Sequence, residues 1–145
     1  MIDFGCVKEI PDQFYEPYFS LIRKDLLTAD DQLVDKFKQL QFIYDDDTAE
    51  DKAYFSGVIK DMMGLLGKPF HQDEFDFGDD EYFHQIFQMG EVISESKKFR
   101  NSERARGARD GLYINRTYFG LYNILNELKA KVRTTKPEWA EKVVA

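Results

Sequence analysis

Apolar residues recur every three or four positions along most of this chain, the spacing that lines one face of an α-helix. After Pro11, the residues Phe14, Tyr18, Leu21, Ile22 and Leu26 share a face. Pro17 cannot donate a backbone hydrogen bond, so this helix is expected to start near Glu16 or to kink there. Thr28 followed by Asp31 resembles a capping box and opens a second helix with Leu33, Val34, Phe37 and Leu40 inward. Asp45-Asp46-Asp47 reads as a loop, with Asp47 and Glu50 as cap and third residue of the next helix. That helix carries Phe55, Val58, Ile59, Met62, Met63 and Leu66, and stops at Gly67 with Pro69 beyond. Residues 68–79 form an acidic, aromatic loop. Asp79 or Asp80 caps a fourth helix with Tyr82, Phe83, Ile86, Phe87, Met89, Val92 and Ile93. Residues 99–109 are polar and Arg-rich and read as a connection. Asp110 caps a long fifth helix with Leu112, Tyr113, Tyr118, Leu121, Ile124, Leu125 and Leu128. Thr135, Pro137 and Glu138 suggest a last short helix carrying Trp139. Nothing alternates with period two for long enough to make a strand, residues 1–2 being too short to judge. The expected class is all-α, with about five to six helices and no internal repeat.

Composition agrees with a packed domain. Thirteen Phe and eight Tyr in 145 residues are far more than a disordered chain carries. The single Cys6 makes no internal disulfide, which points to a reducing compartment. No stretch approaches the roughly 20 apolar residues of a membrane span. The expectation is a soluble, cytoplasmic protein, with a peripheral membrane contact left open. The net charge of −7 hides an asymmetry. Residues 1–96 hold 8 basic and 22 acidic groups, whereas residues 97–136 hold 11 basic and 3 acidic ones. The basic segment either meets an anionic partner or packs near the acidic run Asp73, Glu74, Asp76, Asp79, Asp80, Glu81. The overall acidity favours the second and argues against nucleic acid as a partner.

One motif carries chemistry. Met1-Ile2-Asp3-Phe4-Gly5 runs an apolar step into Asp-Phe-Gly, the metal-binding signature of kinase-type phosphoryl transfer. Three letters are weak evidence alone, because Asp76-Phe77-Gly78 is a second copy. A magnesium-binding Asp follows a buried strand. Ile2 fits the end of one, and Cys6-Val7 continue the apolar stretch. Asp76 sits among acidic neighbours in what reads as a solvated loop, and that copy is taken as chance.

The stretch Ile2-Asp3-Phe4-Gly5-Cys6-Val7, followed by Phe14-Tyr15 and a helical tail, resembles the metal-binding segment of the AarF/UbiB family of atypical protein-kinase-like proteins. The segment Arg106-Gly107-Ala108, then residues 112–122 with their Arg116-Thr117 and Gly120-Leu121 steps, resembles the family's C-terminal helix. The likeness covers the whole chain loosely and these two stretches more specifically. Only the first is a catalytic motif. The resemblance implies a kinase-like fold that binds ATP and magnesium, with kinase or ATPase chemistry linked in many members to quinone or lipid metabolism. Carried over residue by residue, only Asp3 matches a catalytic position, as the magnesium ligand. Phe4 would pack beneath the site and Gly5 would permit the turn. Residues 1–10 are then a remnant of the metal-binding segment, and residues 11–145 a single helical domain. The family's signature motif, nucleotide-binding lobe and catalytic loop have no counterpart here. One carboxylate cannot hold a triphosphate with its metal and also position the acceptor. The expectation is no phosphoryl transfer by this chain alone, and association with the missing kinase-like part, a partner chain or a second copy. The alternative is a helical interaction module without an active site, whose contact surface is the basic segment 97–109.

The remaining candidates are weaker. His71 and His84 stand thirteen residues apart, a spacing that does not suit two ligands on one helix face. Asp45-Asp46-Asp47 lacks the alternation and Gly of a calcium loop, and capping with solvation accounts for it. Met62, Met63 and Met89 read as core fillers. Cys6 has no partner His at a recognisable spacing, which leaves it a weak nucleophile candidate. Asn115 and Arg116 fall in an otherwise apolar helix, and a partner on a neighbouring helix or a buried ion pair is expected for them.

Overall fold

The computed structural model describes residues 7–23 and 25–134. The short helix expected around Trp139 lies outside them. The described residues form six α-helices and one small sheet, an all-α architecture. The helices are α1 (Asp12–Ser20), α2 (Asp30–Gln39), α3 (Ala49–Gly67), α4 (Asp80–Glu95), α5 (Lys97–Arg100) and α6 (Arg109–Glu127). Short 3-10 turns occupy Leu26–Thr28, ahead of α2, and Lys68–His71, directly after α3.

Two aromatic clusters make the core. The first joins Phe14 and Tyr18 of α1, Leu33 and Phe37 of α2, Phe55, Ile59 and Met63 of α3, and Ile114 of α6. The second joins Phe75, Phe77, Tyr82, Phe83 and Ile86 with Tyr122 of α6. Helices α3 and α6 touch both. The last carbonyls of a helix have no partner within it. Here the Tyr82 hydroxyl donates to the Leu65 carbonyl and the Tyr122 hydroxyl to the Leu66 carbonyl, each at 3.0 Å. The end of α3 is therefore tied to α4 and α6 by hydrogen bonds from long aromatic side chains.

Several local expectations shift by a residue or an element. Helix α1 begins at Asp12 after Pro11 and runs through Pro17 without starting afresh at Glu16. Burial of Phe14, Pro17 and Tyr18 on one face compensates for the missing amide. Thr28 does not cap α2: its hydroxyl donates to the Asp25 carbonyl at 2.8 Å, and Ala29 holds the cap position with no side-chain bond. Thr48, not Asp47, caps α3 by accepting from the Asp51 amide at 3.1 Å. Asp79 caps α4 as expected. Asp110 lies in the first turn of α6 and Ala108 takes the cap position.

A pair of strands was not expected. Strand β1 (Glu74–Asp76) pairs antiparallel with β2 (Lys131–Arg133), Phe75 facing Val132. Glu74, Asp76 and their neighbours made residues 68–79 read as a solvated loop. Yet Phe75 and Phe77 are buried while Glu74 and Asp76 are exposed, which is alternation compressed into four residues. Several apolar positions face outward. Phe87 and Val92 on α4 are exposed, and so are Leu112, Tyr113, Leu121, Ile124 and the capping residue Leu128 on α6. Val34 on α2 is exposed too, at 38%, against the inward expectation.

Candidate functional site

The candidate site residues Asp3, Phe4 and Gly5, with Asp3 as metal ligand, lie outside the described residues, as does Cys6. The described chain begins just beyond them. Lys8 pairs with Asp110 at 3.1 Å and its ammonium lies 5.9 Å from the centre of the Tyr113 ring. Phe14 and Tyr18 stack, and Gly111 of α6 packs against them so closely that a Cβ there would sit 3.4 Å from Phe14 Cζ. The Tyr18 hydroxyl donates to Asn115 Oδ1. Asn115 thus has the neighbouring-helix partner its setting demanded, while Arg116 is exposed. The segment after the first Asp-Phe-Gly is fastened to the start of α6.

The second Asp-Phe-Gly copy is a structural turn. Asp76 Oδ1 accepts from the Gly78 amide at 2.8 Å, and Phe77 is 2% exposed. The Phe77 amide donates to the Ala130 carbonyl at 2.9 Å, and Asn126 Nδ2 donates to the Phe77 carbonyl at 2.8 Å. The carboxylates face solvent, but the aromatic between them is core. His71 is half-buried and its Nε2 lies 2.6 Å from the Ile22 carbonyl. His84 is exposed on α4 and contacts Gln88 at 2.9 Å. Among the described residues no group of three or more His, Cys, Asp or Glu is gathered for a metal ion.

The best-built polar site is a cleft of about 420 Å³ between the α2–α3 loop, α5 and the 101–108 segment. Arg106 sits at its base. Its guanidinium grips Asp47 with two bonds of 2.6 and 2.9 Å and donates through Nε to Ser102 Oγ at 2.9 Å. The plane lies 4.0 Å from the centre of Phe55 and 5.2 Å from that of Tyr44. Both side chains of the pair are only 9% exposed. The Tyr44 amide adds a 2.7 Å bond to Asp47 Oδ2, and the Tyr44 hydroxyl donates to the Ala105 carbonyl at 2.8 Å. At the rim, Arg104 grips Asp46 and Lys98 bridges Glu50 and Asp51. The Arg106 guanidinium beside Asp47 holds that carboxyl below the usual carboxylate range. Lys98 does the same for Asp51.

The basic segment 97–136 therefore meets the expected acidic run and a second one besides. Lys98, Arg104 and Arg106 bond residues 46–51, while Lys129 and Lys131 reach Asp80 and Glu74. Asp45-Asp46-Asp47 does more than cap and solvate: Lys38, Arg104 and Arg106 each take one of the three. An arginine remains charged at any working pH, so Arg106 offers no proton for catalysis. Its charge is already matched by Asp47, which makes the cleft a clasp and not a receptor for anions. The signal that sequence reading missed is two short charge runs of opposite sign, Asp46-Asp47 and Arg104-Ala105-Arg106, 57 residues apart between Asp47 and Arg104.

Gly107 completes the clasp. Its φ of +106° belongs to glycine, and a Cβ there would come within 2.8 Å of Phe42 Cε1. The amides of Gly107 and Ala108 donate to the carbonyls of Gln41 and Leu40, each at 2.8 Å. The Arg106-Gly107-Ala108 step thus docks the chain on the end of α2 and aims α6. No protein-family model, curated protein or solved structure matches this chain.

Proposed function

We propose that this chain forms the helical C-terminal part of an AarF/UbiB-like phosphotransfer protein, in which Asp3 contributes the magnesium ligand. The observation that carries this reading is the contact of α1, which follows the 2–7 stretch, with α6, which holds the second stretch resembling the family. They lie about a hundred residues apart in sequence. Lys8, next to the 2–7 stretch, bonds Asp110, and the α1 aromatics beyond it pack on Gly111 and Asn115 of α6. A metal-binding segment needs a rigid support to hold its carboxylate in place, and α1 packed on α6 is consistent with that need.

The donor set decides how far the chemistry goes. A carboxylate oxygen suits magnesium, a hard ion, and Asp3 is such a donor. One carboxylate leaves the phosphates, the acceptor and its proton unattended. The chain by itself therefore binds no nucleotide tightly, and the kinase or ATPase activity, with its tie to quinone or lipid metabolism, belongs to the complete protein. The reading frame preceding the Met1 codon tests this: a strand, an Asp- and Asn-bearing loop and an N-terminal lobe are expected there, and a stop codon close upstream refutes it. Calorimetric titration of the chain with magnesium-ATP is expected to give no binding tighter than millimolar. Tight binding that Asp3→Ala abolishes would overturn the claim that the chain alone is incompetent.

The rival reading, a helical module without an active site, had the basic segment 97–109 as its contact surface. Lys98, Arg104 and Arg106 are engaged within the chain, which weakens that choice. The exposed apolar row on α6 is the observation that favours a contact role.

A further inference from the structure

Helix α6 carries a second row of apolar residues on its outer face. At about 100° per residue, Tyr113, Thr117, Leu121, Ile124 and Leu128 fall within about 80° of one another. They lie opposite the buried Gly111 and Tyr122. Tyr113 is 38% exposed, Leu121 49%, Ile124 59% and Leu128 70%. The Thr117 hydroxyl donates to the Tyr113 carbonyl at 2.9 Å, so it needs nothing from outside the helix. A second apolar row on an amphipathic helix marks an association surface, since one face already satisfies the core.

The charges beside the row say what covers it. Arg116 and Glu127 lie along the same edge, within about 20° of each other at helical spacing. Both are exposed, and neither has a hydrogen-bond or ion-pair partner among the described residues. The other edge of the row turns into the interior at Ile114 and Leu125. When two copies of one helix pack antiparallel, the same edge of each faces the other. A two-fold axis beside Gly120 and Leu121 then sets Arg116 of one copy near Glu127 of the second, and the reverse. Gly120 has nothing within 4 Å of its virtual Cβ, so it leaves room for the opposing Leu121. Tyr113 comes opposite Leu128, and Thr117 opposite Ile124. Parallel packing brings no such pairing of opposite charges.

We propose that two copies of this chain associate through α6, antiparallel about a two-fold axis near Gly120. The contact is isologous, as closed dimers require. Five side chains per copy make a small interface, so the dimer dissociates on dilution. Association is independent of the phosphoryl-transfer reading, because its readout is mass and not nucleotide binding.

Sedimentation equilibrium over a dilution series tests it. The expected result is a species of twice the 17.1 kDa chain mass at high concentration, falling to the single-chain mass on dilution. Leu121→Asp with Ile124→Asp should leave a monomer with unchanged helical circular dichroism, because both positions face solvent in the single chain. Arg116→Glu alone and Glu127→Arg alone should each weaken association roughly tenfold. The double reversal should restore it. A monomer at every concentration, a dimer indifferent to the two Asp substitutions, or a double reversal that stays weak would each overturn the proposal. Should the Asp variant lose its helical signal, the exposed charge reversals decide the question by themselves.

Discussion

Arg106 illustrates how much one residue depends on what lies beneath it. Its pair with Asp47 is covered by Phe55 and Tyr44, whereas the neighbouring Arg104–Asp46 pair stands in solvent with side chains 51% and 64% exposed. Exposed pairs contribute little, and breaking a covered one strands a charge. The Arg106–Asp47 pair borders an open cleft, so its loss falls between the two cases. Asp47→Asn is expected to lower unfolding stability by about 2 kcal/mol in urea titrations, and Asp46→Asn to leave it nearly unchanged. The effect has a definite pH dependence. A carboxyl held low in the folded state contributes its stability above the ordinary carboxylate range, near pH 4. That contribution is lost as pH falls through the lower folded value. The gap between Asp47→Asn and the unaltered chain should therefore close below about pH 4, and a gap that persists there would show that packing alone is responsible. The sequence pattern does not pair the two residues. It makes Asp47 read as a cap, because nothing local reveals that residue 106 returns to residue 47.

Elements were more legible than their ends. Helical periodicity located α1, α2, α3, α4 and α6, and Gly67 with Pro69 marked the end of α3, because these signals are local. Caps moved where competing donors lay nearby. Thr48 takes the α3 cap and Asp47 is drawn off to Arg106. Thr48→Ala should cost about 1 kcal/mol, and Asp47→Asn should not disturb the cap itself. Amide hydrogen exchange in the first turn of α3 separates the two, since only the Thr48 change should speed it selectively. The strand β1 escaped notice because three residues give too few positions to display a period, and its partner β2 lies beyond α6. Strand pairing is a tertiary event even when both strands are short. Periodicity also failed to say which apolar residues would be covered. Helix α6 carries apolar side chains on two faces, and the one that meets α1 and α4 is chosen by Gly111, Ile114 and Tyr122, not by total hydrophobicity.

Across the whole molecule, tyrosine links the two core clusters. Tyr18, Tyr82 and Tyr122 each donate across a helix boundary, and burial pushes the phenols of all three well above their ordinary value. A phenol whose folded value is raised stabilises the fold fully below about pH 10, and that stability is lost as pH rises beyond it, because the unfolded chain ionises first. Alkaline titration should therefore show part of the tyrosinate absorbance appearing only together with loss of helix. Ionisation of all eight tyrosines in a single step near pH 10, with the helices intact, would refute the buried network. By itself the sequence determined that the chain is helical, where most helices lie, that its interior is aromatic and that its charge is divided between its two ends. Those properties follow from spacing and composition, which act over a few residues. The tertiary structure alone decided that Arg106 meets Asp47, that Phe75 and Phe77 are core, that α1 rests on α6, and that one apolar row of α6 faces outward. Each of these depends on residues far apart in the chain meeting in space, and the energy of such a contact is set by burial and geometry that no local pattern encodes.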